Sequence, residues 1–263
     1  MRSSVRRHAP KSVVLCLLAA VLCALWLAPR ARASTMAPHG VSPDRVTRAH
    51  AFRAKEDPRP TTIAPAVFAY APASDVAKPT RVVYLHGIHG LAQNGCPWLR
   101  GGATEVGWLL CPEANAALPN GTFSWGGTAK DQYDVVTHAI RASGGEPNDG
   151  DVLVGFSQGG FVAVDLVEKH LGTHRGLVIL SADVHIDATT LRGAGVERIV
   201  LGAGSLDATY APLETLARSL DAQGFPARFV SLGRVGHTYV PEDTAVLTDA
   251  IVWASGARTR RAA

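Results

Sequence analysis

The chain has 263 residues, 47% of them hydrophobic, which is enough for one sizeable core and little more. Its formal net charge of +4 is carried by the first 33 residues, which hold six of the 26 Lys and Arg and none of the 22 Asp and Glu. The remainder has 20 basic against 22 acidic side chains, a charge of −2, so the overall positive charge says nothing of a basic surface and no nucleic-acid partner is implied.

Arg2, Arg6, Arg7 and Lys11 precede an apolar run from Val13 to Ala28, and Ala31-Arg32-Ala33 has the small-x-small form of a cleavage site. The run is short for a membrane span. Residues 1–33 are therefore expected to be a secretory signal peptide cleaved after Ala33, leaving a secreted or periplasmic protein with no stable membrane insertion. Residues 34–64, rich in Pro, Arg, Thr and Ala and without apolar periodicity, are expected to be a disordered leader. Residues 258–263 form a short basic tail.

From residue 65 short apolar runs alternate with amphipathic stretches. Strands are expected at Val67–Ala71, Arg81–Leu85, Gly107–Leu110, Asp151–Val154, Gly176–Leu180, Arg198–Leu201 and Arg228–Leu232. Helices are expected near Lys130–Ser143, Gln158–His170, Tyr210–Gln223 and Pro241–Ala254. The strand runs are continuous and β-branched, as in strands buried on both faces. The alternation argues for an α/β fold with a mostly parallel sheet, whose chemistry sits beyond the carboxyl ends of the strands. The segment from His89 to Trp125 is expected to be a long irregular excursion, with Trp98, Trp108 and Trp125 forming one wall of an acyl pocket. Cys96 and Cys111 remain after the signal peptide and read as a disulfide in an oxidising compartment.

The reactive candidates each follow a strand. Ser157, in Gly155-Phe156-Ser157-Gln158-Gly159-Gly160, sits on a strand-to-helix turn that needs small neighbours and points its hydroxyl off the sheet. A serine needs a base, and His237 follows the last strand. The base needs an acid to hold its tautomer; Asp207 and Asp183 both follow strands and both satisfy the order Ser, Asp, His, with Asp207 favoured because its loop precedes the strand leading to His237. Donors for an oxyanion are expected from the backbone N–H groups of Gln158 and of Ile88, in His86-Gly87-Ile88-His89-Gly90. His86 with His89, and Asp183 with His185 and Asp187, match no recognised ligand spacing, so no metal or cofactor is expected.

With these residues assembled, the chain resembles the α/β-hydrolase superfamily over about residues 65–257. It is most like the carboxylesterase/phospholipase (acyl-protein thioesterase-like) branch and is also similar to dienelactone-hydrolase-like enzymes. Those relatives carry a His-Gly-x-x-Asp form before the acid, where this chain has Gly202-Ala203-Gly204-Ser205-Leu206-Asp207. The resemblance implies Ser157 as nucleophile, Asp207 as acid and His237 as base, and a small-molecule ester or acyl substrate. Serine peptidase or acyltransferase chemistry on the same fold is the alternative, and a catalytically silent binding protein is the reading from another class. Only 17 residues separate Leu180 from Arg198, too few for a large cap domain.

Overall fold

A computed structural model describes residues 59–73, 76–238 and 244–257, all within the compact unit Val46–Ala263. The expected signal peptide, most of the expected leader and the C-terminal tail lie outside the described residues.

Ten strands and six helices are described, in chain order. They are β1 (Thr61–Ala64), β2 (Val67–Tyr70), β3 (Thr80–Leu85), α1 (Ala92–Val106), β4 (Gly107–Pro112), β5 (Ala116–Ala117), β6 (Phe123–Ser124) and α2 (Ala129–Ala142). There follow β7 (Asp151–Phe156), α3 (Gln158–Glu168), β8 (His174–Leu180), α4 (Ala188–Gly193), β9 (Arg198–Ala203), α5 (Tyr210–Ala222), β10 (Ala227–Ser231) and α6 (Thr244–Ala254). Eight strands form one sheet in the order β1-β2-β4-β3-β7-β8-β9-β10. The six from β4 to β10 are parallel, and β2 runs antiparallel to β4 at one side.

The period of two along each strand builds two cores, one on each face. Val83 and Leu85 face one side with Leu153, Leu177, Ile179, Ile199 and Leu201, where α2, α3, α4 and α5 cover them. Val82, Tyr84, Val152, Val154, Val178, Leu180 and Val200 face the other, against α1 and α6. Because β3 and β7 are neighbours and the helices that follow them go to opposite faces, a crevice opens at their carboxyl ends, the usual place for a ligand in such sheets. The connection from β8 to β9 holds only the one short helix α4, and among the described residues no cap domain covers that edge.

Three expectations need correction. The leader ends earlier than residue 64, because Thr61–Ala64 pair antiparallel with β2; a four-residue edge strand has too few apolar side chains to register as a period. The segment after His89 is not irregular, since Ala92–Val106 form a 15-residue helix containing Gly95, Pro97, Gly101 and Gly102. Those residues oppose a helix on intrinsic propensity, by about 1 kcal/mol for each glycine. The glycines are kept because the helix lies close to its neighbours: a Cβ at Gly95 would run into the Tyr84 ring, and one at Gly102 would come within 2.7 Å of the Thr248 backbone. Nor do the tryptophans make one wall, because Trp108 packs on the α2 and α3 side of the sheet and Trp98 on the α1 and α6 side. Cys96 and Cys111 are disulfide-bonded, Cα to Cα 6.0 Å, and fully buried where α1 meets β4. Closing that loop is worth about 3 kcal/mol in the chain-entropy account.

Candidate functional site

The site begins with a strained turn. Ser157 joins β7 to α3 at φ 52° and ψ −118°, a conformation costing a non-glycine residue about 1–3 kcal/mol. Its surroundings hold it there: the Ser157 N–H donates to the Leu180 carbonyl at 2.9 Å, and the Ser157 carbonyl accepts from Gly160 N–H at 2.9 Å. The flanking glycines are required by close approach. A Cβ on Gly155 would strike the Gly159 carbonyl, and one on Gly159 would strike the carbonyl of Leu85 on β3.

Two other loops converge on that hydroxyl. His237, six residues beyond β10, lies with Nε2 2.9 Å from Ser157 Oγ, and its Nδ1 donates to Asp207 Oδ2, also at 2.9 Å. The imidazole is exposed and rests against the Phe156 ring, centroids 5.2 Å apart, whereas the Asp207 carboxylate is buried. Burial pushes the Asp207 pKa up. The Thr209 N–H, which donates to Oδ1 at 3.0 Å, outweighs it together with the nearby Ser181 and Thr209 hydroxyls and the His237 charge, so the net shift is downward. Neither hydroxyl makes a well-formed hydrogen bond, so the Thr209 N–H is the firmer of these donors. His237 thus meets Asp207; Asp183 and His185 stand exposed on the loop after β8.

The loop after β3 closes the other side. Gly87 approaches Ser157 so tightly that a Cβ on it would come within 3.1 Å of the serine Cβ. Among the described residues, neither Ile88 nor Gln158 spends its N–H on a backbone acceptor in a turn or cap. Gln158 opens α3, where the first N–H groups have no partner within the helix.

Three side chains that frame this loop escaped the sequence reading as supports. Trp125, expected only in the pocket wall, donates its Nε1–H to the His86 carbonyl at 2.8 Å. Its backbone is clamped by the Gln158 amide, which accepts from Trp125 N–H at 3.0 Å and donates to Trp125 C=O at 3.1 Å. His86 is buried with Nδ1–H on the Gly87 carbonyl at 2.8 Å, and its Nε2 is 3.0 Å from Glu113 Oε1 and 3.1 Å from the Ala114 N–H. Glu113 Oε1 also accepts from Ala92 N–H at the start of α1, at 2.9 Å. The signal available for Glu113 was a lone carboxylate directly after an apolar strand, in a place where burial demands a partner. His89, by contrast, is exposed, with Nδ1 3.5 Å from the Thr122 hydroxyl, so the two histidines do not converge.

Comparison with solved structures finds the same architecture in esterases and serine hydrolases. A Bacillus cereus carboxylesterase superposes with a TM-score of 0.53 at 18% identity, covering 73% of this chain and 94% of that one. The esterase PE8 gives 0.54 at 19%, covering 71% and 97%. A fluorophosphonate-binding serine hydrolase of Staphylococcus aureus gives 0.51 at 16%, covering 74% and 96%. No sequence family model matches the chain, and no curated protein sequence does. At these identities the likeness establishes the α/β-hydrolase fold.

Proposed function

We propose that this protein is an exported serine hydrolase that cleaves carboxylic esters through an acyl-enzyme intermediate. The observation that carries the reading is the unbroken run of hydrogen-bond distances from Asp207 through His237 to a strained, outward-pointing Ser157 hydroxyl. With Nδ1–H committed to Asp207, the His237 Nε2 lone pair faces the serine proton. His237 takes that proton as Ser157 Oγ attacks the ester carbonyl, and the negative charge develops on the carbonyl oxygen. The N–H groups of Ile88 and Gln158 receive it, and the Trp125 clamp on Gln158 keeps one of them in place before the reaction starts. The imidazolium then protonates the departing alkoxide. In the second half a water gives its proton to His237 and attacks the acyl carbon, which returns Ser157 and releases the acid.

Export rests on the basic and apolar character of residues 1–33 and is supported by the Cys96–Cys111 disulfide, a bond that lasts in oxidising compartments. The test of the chemistry is covalent labelling by a fluorophosphonate. Wild type is expected to be labelled and Ser157→Ala unlabelled, with p-nitrophenyl acetate turnover falling by about 10⁴-fold or more. A folded wild type that takes up no label would remove this reading.

A further inference from the structure

Among the described residues three large hydrophobic side chains stand more than half exposed: Ile88 at 53%, Phe161 at 51% and Leu206 at 64%. Scattered singly they would need no explanation. They are not scattered. Ile88 follows Gly87, the residue pressed against Ser157. Phe161 lies on the first turn of α3, four residues after Ser157, and a helical side chain leans back over the turn preceding it, here the serine turn. Leu206 is joined to Asp207, and its N–H donates to the Val235 carbonyl at 2.9 Å, two residues before His237. The exposed apolar side chains of the described surface therefore belong to the segments that bring Ser157, His237 and Asp207 together.

Their exposure decides what they meet. Side chains lining a slot for one small ester would be largely hidden from solvent; these project from an edge that, among the described residues, no cap domain covers. Residues 34–263 carry a charge of −2, so there is no cationic excess to seek an anionic surface. We infer that Ile88, Phe161 and Leu206 form an adsorption rim that seats the open site on an uncharged, water-insoluble ester phase, the substrate class being esters presented at an apolar interface. This substrate assignment rests on the esterase reading, whereas the adsorption itself does not depend on turnover.

The two are therefore tested separately. Ser157→Ala protein is mixed with a tributyrin emulsion and the fraction floating with the droplets is measured, with its thermal transition as a check on folding. Adsorption is expected, and adding Ile88→Ser, Phe161→Ser and Leu206→Ser together is expected to weaken it about tenfold or more. Phe161→Ser alone, a surface change on a helix, is expected to weaken it by a smaller factor and serves if the triple variant does not fold. In turnover, the wild-type rate is expected to rise steeply as tributyrin passes its solubility limit. Protein that stays in the aqueous phase, or rim variants that adsorb as well as their parent, would overturn the rim. Absence of fluorophosphonate labelling in an adsorbing wild type would overturn the esterase reading and leave the rim standing.

Discussion

Two aspartates, both nearly excluded from solvent, sit at opposite ends of the same parallel strands. Asp207 follows β9 at the carboxyl edge and Asp151 begins β7 at the amino edge. Burial alone would raise the pKa of both. Asp207 goes down, because a backbone N–H, two hydroxyls and His237 face its oxygens. Asp151 goes up, to about 7, because desolvation dominates and the opposing charge of Arg81 is itself shared with Asp149 at 3.2 Å. One Asp151 oxygen, Nδ1 of His174 and Nε of Arg175 are buried there without hydrogen-bond partners. Donors, and not depth, decide which carboxylate stays charged. At the carboxyl edge the charge is held ready for a base; at the amino edge it is a cost to the fold.

The largest way to break that contrast is Asp207→Asn. The shape is kept, but an amide in place of the carboxylate loses the charge that steadies the imidazolium and can present its NH₂ to Nδ1, which moves the histidine proton to Nε2. An ester kcat/KM lower by about 10⁴-fold is expected, with the thermal transition little changed at pH 7. If instead the rate survived and Asp183→Asn abolished it, the acid would have been misassigned. The linkage has its own sign. A lowered folded pKa means that the stability contributed by Asp207 is present above its unfolded value of 3.8 and is lost as pH falls below it.

The sequence favours Asp207 through the place of its loop before the last strand, but chain order alone does not decide between the two acids, and the reason is topological. Both Asp183 and Asp207 follow strands, and chain order admits either. What separates them is that β9 lies between β8 and β10 in the sheet, so the β9 loop is the one beside the loop carrying His237. Ser157 was legible because its glycines answer to contacts within a few residues and to the neighbouring strand, so the motif itself records them. The parallel sheet was legible for a similar reason: strands buried on both faces write unbroken apolar runs. Helix α1 was not, because its glycines satisfy distant partners, Tyr84 and Thr248, that no local pattern names. The supports of the loop after β3 failed for the same cause. His86 and Glu113 are 27 positions apart and meet only once β3 and β4 pair.

That buried pair gives the next largest effect. Glu113 is the acceptor for the first N–H of α1 and the neighbour of His86 Nε2, so Glu113→Ala strands the buried Ala92 N–H at the base of the proposed oxyanion loop, while His86 keeps Gly87 and Ala114 as partners. A loss of about 1–3 kcal/mol in unfolding free energy is expected, the cost of one stranded buried donor. Glu113→Gln keeps an oxygen for Ala92 and is expected to recover most of the stability. Because the loop carries an oxyanion donor, the residual ester turnover of Glu113→Ala is expected to fall in kcat more than to rise in KM. Equal stability of the Ala and Gln variants would show that the pair only fills space.

The smallest effect belongs to the amino edge and is a dependence on pH. A raised folded pKa means that the Asp151 contribution is fully present below pH 3.8, where it is protonated in both states, and is lost as pH rises toward about 7. His174 beside it runs the other way: burial lowers its pKa, against the hydrogen bond to Leu171 that raises it, so its penalty appears as pH falls through 6.5. The wild-type curve sums the two and would hide both, which is why the comparison has to be made against a variant. Asp151→Asn nearly reproduces the protonated acid and cannot ionise. Its advantage over wild type is expected to be near zero at pH 4 and to grow to about 1–3 kcal/mol by pH 8, measured by urea unfolding at each pH. Tyr133 and Asp149 also face this cluster, but both remain in the variant and cancel from the difference up to pH 8. An advantage that did not change between pH 4 and pH 8 would mean that Asp151 is charged in the fold after all. The contrast between the two aspartates would then reflect position in the sheet alone.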